Sequence, residues 1–376
     1  MTFDRIRLPK MIAGTLAMLV LGTVFPTLAQ PTVDRNEQME YDPSVCSGAV
    51  FRRELSTACL EMIEAHPTPD FEKVSQDRHT LSTYSFWRVG PGATPTFSAP
   101  GGSVSGEISA GYNFVNAIDQ SVDGWLQIEG GQWIRRSDGT LSSPSYFTGV
   151  ELPEGWEHPF AWVLDLSFTY VSEYPGGPAS QETGRFLERY EMVWIFATAT
   201  DAEGWNWFMI GPNQWVKQTF VSKVEPLDVI PEGVSGRWVS VDLYEQTLIA
   251  YEDDRPVFAT LVASGIPPHD TNEGLFTVWA RIARDGMSGA TGAPDAYALQ
   301  SVPWVMYFDD AISLHGTYWH DYFGYRQSHG CVNLTISDAR YIYQWMLDDE
   351  PNEDGELENY VYVHSSGVYG ENVIRS

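Results

Sequence analysis

The chain has 376 residues, a length that predicts two or three folded units with their own cores. Hydrophobic residues make up 43% of the chain and aromatic residues 14%, so a largely disordered protein is excluded. The formal net charge is −28, which argues against nucleic acid and anionic lipid surfaces as partners because both would be repelled.

Residues 1–29 have the pattern of a secretory signal peptide. Three basic residues among the first ten precede an apolar run from Met11 to about Phe25, and Thr27-Leu28-Ala29 suits a signal peptidase. The run is short for a membrane span of about 20 residues, so a cleaved signal is favoured over an anchor. We therefore expect a mature chain without a stable membrane span, located outside the cytoplasmic membrane.

Residues 30–83 are predicted to form a small helical lead-in, with a flexible spacer as the alternative. The run "FRRELSTACLEMIEAHP" has apolar residues at helical spacing before Pro67 stops it. Cys46 and Cys59 lie in this segment, and an exported protein favours a disulfide between them, worth about 3 kcal/mol from loop entropy. This pairing leaves Cys331 as a free thiol, and a free thiol outside the cell needs a functional reason.

An internal repeat follows the lead-in. The segment "WLQIEGGQWI" from Trp125 aligns without gaps on "WFMIGPNQWV" from Trp207, and each copy ends a stretch of short, aromatic, β-prone runs. Both copies resemble bacterial SH3-like modules, which we place at residues 84–140 and 141–224. Two interpretations of the tryptophans stay open: they fill two small cores, or they form an exposed aromatic groove for cell-wall peptide or glycan.

The last third of the chain is predicted to be a separate β-rich unit. Residues 225–236, "EPLDVIPEGVSG", have the composition of a linker. From residue 237 to 365, short apolar or alternating runs between turn-rich breaks predict strands. One helix is predicted after Cys331, where Thr335 and Ser337 offer N-caps, and residues 366–376 are a tail.

The free thiol of Cys331 lies in a histidine-rich stretch. A cysteine nucleophile needs a base or a positive neighbour, because a thiol of ordinary pKa is only a few per cent thiolate at neutral pH. His315, His320 and His329 are the candidates, and His315 is favoured because it ends a predicted strand that can lie beside Cys331. The spacings of these residues match no common zinc motif, so no metal is expected.

Two motifs in this unit carry a resemblance. The run "LHGTYW" at 314–319, followed by "SHGCVN" at 328–333, is similar to the signature of the L,D-transpeptidase family, the YkuD-type catalytic domain. The similarity spans about residues 237–365. The predicted fold is therefore mainly β, with two small SH3-like β-barrels followed by a β-rich YkuD-like catalytic domain with one principal helix. The interval between His315 and Ser328, residues 316–327, has 12 residues and predicts a small lid.

The resemblance also implies roles for residues. Cys331 would be the acylated nucleophile, and His315 its general base, oriented by the backbone carbonyl of Gly316. His329 and Gly330 would shape the turn, where backbone N–H groups, including that of the cysteine, would form an oxyanion hole. The residues expected to line the site and position the substrate are Ser328, Trp319, Asn333 and Tyr318. No metal or organic cofactor is implied, and His320 is expected at the surface or behind the site.

These roles imply a peptidoglycan L,D-transpeptidase. Cys331 would form an acyl enzyme from a tetrapeptide stem with release of D-alanine, then pass it to an amine of a neighbouring stem in a 3→3 cross-link. The expected partners are peptidoglycan stem peptides and the cell wall, in the periplasm or at the cell surface. Carbapenem-type β-lactams are expected to acylate the same thiol. Two alternatives stay open: an L,D-carboxypeptidase with water as acceptor, and a non-catalytic wall-binding protein.

Overall fold

The computed structural model describes residues 41–48, 55–164, 169–181, 184–351, 355 and 357–367. The predicted signal peptide lies outside the described residues. Within them the mainly β prediction is confirmed, and the three α-helices are α1 (Thr57–Ala65), α2 (Arg78–Thr83) and α3 (Ile336–Leu347). No helix in this described part of the chain has the length and apolar character needed to cross a membrane.

The lead-in contains a disulfide and is fixed to the rest of the chain. Cys46 and Cys59 are bonded, and α1 begins where the Ser56 hydroxyl accepts the N–H of Cys59. Further along, Asp77 is 1% exposed, and its carboxylate accepts hydrogen bonds from the Trp304 indole N–H at 3.0 Å and from Arg340 at 2.9 Å. A buried carboxylate needs such partners, so the lead-in is bound to the C-terminal part of the chain.

The first copy of the repeat forms a small antiparallel unit. Its strands are β1 (Phe86–Val89), β2 (Thr94–Phe97), β3 (Val104–Ile108), β4 (Tyr112–Asp119), β5 (Trp125–Ile128), β6 (Trp133–Arg135) and β7 (Gly139–Leu141). β1 pairs with both β4 and β7, so the first and last strands of the copy meet. A short strand, β8 (Val150–Glu151), lies in the connection to the second copy.

The second copy repeats this pairing. Its strands are β9 (Phe160–Val163), β10 (Thr169–Tyr170), β11 (Phe186–Leu187), β12 (Met192–Trp194), β13 (Ala197–Thr200), β14 (Asn206–Gly211), β15 (Gln214–Lys217) and β16 (Val221–Val224). β9 pairs with the last strand, β16, as β1 does with β7. Trp125 faces Arg135, and Trp207 faces Lys217, so the register is the same after a shift of 82 residues (207 − 125). The SH3-like assignment and the domain boundaries stay predictions.

The C-terminal unit is built from two sheets and α3. Its strands are β17 (Arg237–Asp242), β18 (Thr247–Glu252), β19 (Arg255–Leu261), β20 (Gly274–Thr277), β21 (Ala280–Gly289), β22 (Tyr297–Asp309), β23 (Ile312–Thr317), β24 (Val332–Thr335) and β25 (Tyr360–His364). One sheet has the order β20-β25-β17-β18-β19-β8. The other runs β24-β23-β22 and continues through a parallel pair into β4, so the first copy shares a sheet with the C-terminal unit.

An apolar core joins these layers. It contains side chains from the six-stranded sheet, from β22–β24 and from α3, including Val239, Leu248, Met306, Leu334 and Ile342. Helix α3 begins at Thr335, whose hydroxyl accepts the N–H of Asp338, as the predicted N-cap requires. Because β23 and β24 are buried between this core and the rest of the chain, their positions are firmly held.

Candidate active site

The thiol and the favoured imidazole lie on neighbouring strands. β23 and β24 are parallel, with His315 opposite Asn333, and Cys331 directly precedes β24. Alternate residues of a strand point to the same face, so Ser313 and His315 share one face of β23. The Ser313 hydroxyl oxygen is 3.7 Å from the Cys331 sulfur. The fold therefore places Cys331 beside the face of β23 that carries His315.

His315 is held in a neutral, oriented state. Its side chain is 2% exposed, and burial lowers its pKa to about 4, so it is uncharged at neutral pH. Its Nδ1 is 3.2 Å from the carbonyl oxygen of Gly316. If Nδ1 carries the proton and donates to that carbonyl, Nε2 is left as the acceptor, which is what a general base requires.

Gly316 is required by the space around it. A Cβ at this position would lie 2.9 Å from Cγ of Pro303 and 3.1 Å from Cα of Ile336. A larger residue would therefore push β23 away from the start of α3. Since the carbonyl of Gly316 orients His315, such a displacement would also move the imidazole.

Cys331 is a free, partly exposed thiol. Burial raises its pKa, and hydrogen bonding from Ser313 partly opposes that rise. The thiol form is therefore favoured at neutral pH. A reaction at this sulfur would require the proton to leave during the attack, and a neutral imidazole nearby is the group that can take it.

The turn before Cys331 is held by side chains, which corrects two of the expected roles. The Ser328 hydroxyl donates to the Cys331 carbonyl and accepts the Gly330 N–H at 3.1 Å. Ser328 is 6% exposed, so it holds the turn instead of facing a substrate. The Gly330 N–H is already used, so it is not a free donor for an oxyanion. Gly330 has φ +113°, which only glycine adopts without strain, and its carbonyl accepts from the Thr271 hydroxyl at 2.7 Å.

The other expected substrate-contacting residues separate into two groups. Trp319 is partly exposed, and its ring is 5.5 Å from that of His315, so it borders the site, and its contact with a substrate stays a prediction. Tyr318 is wrong as a substrate contact, because it is fully buried and its hydroxyl donates to the Gln300 carbonyl at 2.6 Å. Asn333 is 1% exposed, so it supports the site from within.

His320 is partly exposed and contacts Asn333. One ring nitrogen, Nδ1, accepts the N–H of Tyr322 at 3.1 Å, and the other, Nε2, is 2.8 Å from the side-chain amide of Asn333. The amide atom at this distance from Nε2 is the nitrogen Nδ2 of Asn333, so the donor in this contact depends on the His320 tautomer. Burial is the main cause that lowers the pKa of His320 to about 3, and the nearby His315 adds to it. His320 thus fixes Asn333, which lies opposite His315.

The active-site loop, residues 318–327, is held on one side by the first copy of the repeat. The Tyr112 hydroxyl donates to the Trp319 carbonyl at 3.2 Å, and the Ser142 hydroxyl donates to the Tyr318 carbonyl. The Phe86 ring stacks on Tyr318 with ring centroids 3.7 Å apart. These contacts fix the part of the loop that follows His315 directly.

The second copy holds the other side of the active-site loop. Arg189 forms an ion pair with Asp321 at 3.1 Å, and the Tyr190 hydroxyl donates to the same carboxylate at 3.0 Å. The Tyr325 hydroxyl donates to the carbonyl of Leu164 at 3.0 Å. Both copies are therefore part of the structure that positions the loop.

Sequence reasoning missed these supporting residues. Ser313 alternates with His315 along β23, and that spacing was a signal for a residue beside the thiol. Thr271 follows the "HD" pair before β20, a position with no chemical motif of its own. The contacts to the active-site loop come from residues more than 100 positions away in the chain, and no local sequence pattern indicates them.

A comparison with protein families finds a match over the part of the chain that contains this site. Residues 236–369 match the YkuD L,D-transpeptidase catalytic domain. That YkuD segment contains β17–β25, α3 and both motif histidines with Cys331. No match was found among curated proteins. The two copies of the repeat lie outside the matched segment.

Solved L,D-transpeptidases are similar to this chain over part of its length. The enzyme from Stackebrandtia nassauensis is 26% identical, with 38% of this chain and 62% of that chain covered and a TM-score of 0.29. A mutant from Enterococcus faecium is 25% identical, with coverage of 35% and 50% and a TM-score of 0.29. The enzyme from Xylanimonas cellulosilytica DSM 15894 is 25% identical, with coverage of 37% and 65% and a TM-score of 0.26. This chain therefore spans about half to two thirds of those chains.

Proposed function

We propose that the protein is a cysteine-dependent peptidoglycan L,D-transpeptidase that forms 3→3 cross-links. The observation that carries the proposal is a free, partly exposed Cys331, just before β24, beside the face of β23 that holds a buried, neutral His315. The pair lies in the segment that matches the YkuD catalytic domain. An imidazole poised to accept a proton is what a thiol of raised pKa needs to become a nucleophile.

The first half of the reaction is acylation. The Cys331 proton passes to Nε2 of His315 while the sulfur attacks the carbonyl carbon between the third and fourth residues of a tetrapeptide stem. The resulting oxyanion is stabilised by backbone N–H groups of the turn, without that of Gly330. The carbon–nitrogen bond then breaks, and His315 returns the proton to the amine of the departing D-alanine. A thioester on Cys331 remains.

The second half transfers the acyl group. An amine of a neighbouring stem gives a proton to His315 and attacks the thioester carbonyl. The carbon–sulfur bond breaks, an amide forms between the two stems, and the proton returns to the sulfur. Burial of His315 keeps it neutral at the start of both halves, so the same imidazole serves twice.

The proposed place of action is outside the cytoplasmic membrane, at the cell wall. The support is the signal-peptide pattern of residues 1–29, the disulfide between Cys46 and Cys59, and a proposed substrate that is a component of the wall. The net charge of −28 is consistent with a protein that does not bind anionic lipid.

Mass analysis of products tests the function. The full chain is incubated with purified disaccharide tetrapeptides, beside Cys331→Ala and His79→Ala proteins, the latter changing an exposed histidine on α2. The expected products from wild type and His79→Ala are D-alanine and 3→3 dimers, with none from Cys331→Ala. Tripeptides without dimers would assign water as the acceptor and replace the transpeptidase with a carboxypeptidase. Unchanged tetrapeptides would contradict the proposal.

A further inference from the structure

Three side chains outside the Cys331–His315 pair converge at the edge of the site. His269 lies in the connection after β19, Asp295 in the connection between β21 and β22, and His329 in the turn before Cys331. The Asp295 carboxylate oxygen Oδ2 is 3.2 Å from Nε2 of His269 and 3.4 Å from Nε2 of His329. The two imidazole rings are 4.8 Å apart. A pair of histidines directed at one carboxylate oxygen is the arrangement to be explained.

These distances fit a divalent transition metal. Donor atoms about 2.0–2.1 Å from a tetrahedral zinc ion lie about 3.3 Å from one another. Two of the three donor–donor distances have this value, and all three donor atoms lie within 4.8 Å of one another. The Asp295 oxygen can also accept an N–H from each imidazole, so hydrogen bonding and a shared cation both account for this convergence, and a binding measurement separates them. Two histidines and one carboxylate leave a fourth ligand position open.

The backbone holds the three donors in place independently of any ion. The His269 N–H donates to the carbonyl of Ile266 at 2.7 Å, and the Ile266 N–H donates to the carbonyl of Ser328 at 2.9 Å. These two hydrogen bonds link the connection that carries His269 to the turn that carries His329. On the other connection, the carbonyl of Ala296 accepts the N–H of Tyr112 at 2.8 Å. Donors fixed by their own backbones lose little freedom when a metal binds.

The three donors are also reachable from solvent. Their side chains are 40% (His269), 46% (Asp295) and 30% (His329) exposed. The chain is strongly acidic, which raises the local concentration of cations. An ion can therefore reach the cluster without opening the fold.

We propose that a zinc-class divalent ion binds His269, Asp295 and His329 and slows the reaction of Cys331. The ion would link the connection after β19 and the connection between β21 and β22 to His329, two residues before Cys331. The Tyr297 ring, whose centroid is 5.1 Å from that of His329, lies at the same place, so the bridge narrows the approach to Cys331. The binding part of this inference does not depend on the proposed function.

Equilibrium dialysis with Zn²⁺ alone tests the site in untagged full chain. Every protein carries Cys331→Ser, which removes the thiol as a competing ligand, and His269→Ala, Asp295→Asn or His79→Ala is added. We expect one Zn²⁺ per chain in the single variant and in the His79→Ala control. The affinity should fall by about tenfold or more with His269→Ala and with Asp295→Asn, since each removes one of three donors. Loss of binding in Cys331→Ser alone, or equal binding by His269→Ala and the control, would overturn the site.

A second measurement tests the effect on the thiol. With Cys331 intact, its rate of alkylation by a small iodoacetamide reagent is followed with and without Zn²⁺. The rate should fall on adding Zn²⁺ in wild type and His79→Ala and stay unchanged in His269→Ala. Equal slowing in all three proteins would show that the ion acts at the thiol itself, and would contradict the inhibitory role.

Discussion

The two copies of the repeat have the same strand register, but the outer face of the first is partly exposed and that of the second is buried. In the first copy, Trp125 and Gln127 on β5 are partly exposed. In the second, the equivalent Trp207 and Met209 on β14 are 7% and 1% exposed, packed in a cluster with the disulfide and the outer side of the six-stranded sheet. The same strand arrangement therefore leaves one face open to solvent in the first copy and packs that face against the rest of the chain in the second.

The difference shows that a repeat does not fix its own role. The inner residues agree, since Leu126 and Ile128 fill the first core as Phe208 and Ile210 fill the second. The outer residues decide what the copy contacts, and the change from Gln127 to Met209 follows the burial of that face. Each copy still reaches the active-site loop, by a different route: the first through Tyr112 and the second through Arg189.

The largest expected effect comes from removing the equivalent tryptophans. Trp207→Ala should lower the free energy of unfolding by about 3–5 kcal/mol, because it leaves a cavity in a buried cluster and removes the indole hydrogen bond to Asp201 at 2.8 Å. Trp125→Ala should cost about 1 kcal/mol or less, since its site is partly open. Urea unfolding of both variants measures the difference. Equal losses would mean that the two outer faces are not distinct in solution.

A pH-dependent effect is expected at the connection between the copies. The Asp338 carboxylate accepts the N–H of Gly149 at 2.9 Å and the hydroxyl of Thr260 at 2.7 Å. Burial raises its pKa from 3.8 to about 6, so the protonated form favours folding. That contribution is present below about pH 4 and is lost as the pH rises through 6. From pH 4 to 7, wild type should lose up to about 3 kcal/mol relative to Asp338→Asn, which cannot titrate.

Unfolding curves of both proteins across this range check the prediction. Taking the difference between them removes the contributions of the other carboxylates, which both proteins share. A constant difference from pH 4 to 7 would show that Asp338 does not change its charge in this range.

The smallest expected effect separates the two supports of the active-site loop. Arg189→Ala removes the ion pair to Asp321 and should slow acylation of Cys331 by about tenfold, because the loop borders the site. Tyr112→Phe removes one exposed hydrogen bond and should slow it less than about twofold. The matched control is Arg185→Ala, since Arg185 pairs with Glu191 within the second copy. Stopped-flow acylation rates of the three variants are compared. If Arg185→Ala is as slow as Arg189→Ala, the effect comes from lower stability of the second copy and not from the position of the loop.

Much of the fold was readable from local patterns. Alternating and apolar runs indicated the strands of the C-terminal unit, and Thr335 marked the start of the single helix in it. The parallel pairing of β22 with β4 was not readable, because it joins segments about 185 positions apart and depends on which edges the folded units leave open.

The residues of the site were also predictable only in part. The sequence pointed to Cys331, His315 and the Gly316 carbonyl. In the structure Nδ1 of His315 lies at the Gly316 carbonyl, and Cys331 directly precedes the strand that pairs with β23, while the catalytic roles stay predictions. Ser328 and Tyr318 were assigned to the substrate because they lie in the two motifs that carry the resemblance. Their side chains instead turn inward to satisfy backbone carbonyls, a choice that adjacency in sequence does not reveal.

The central claim is that a neutral, buried His315 takes the proton of Cys331. The most direct test is the pH dependence of carbapenem acylation at Cys331, followed by intact-protein mass and peptide mapping, for wild type and His315→Ala. With the pKa of His315 near 4 and that of Cys331 raised, the wild-type rate should be nearly constant from pH 5 to 8, and His315→Ala should be about 10²- to 10⁴-fold slower. A wild-type rate that climbs about tenfold per pH unit across this range would mean that a free thiolate reacts without the base. That result, or an adduct that forms equally on Cys331→Ala protein, would contradict the account.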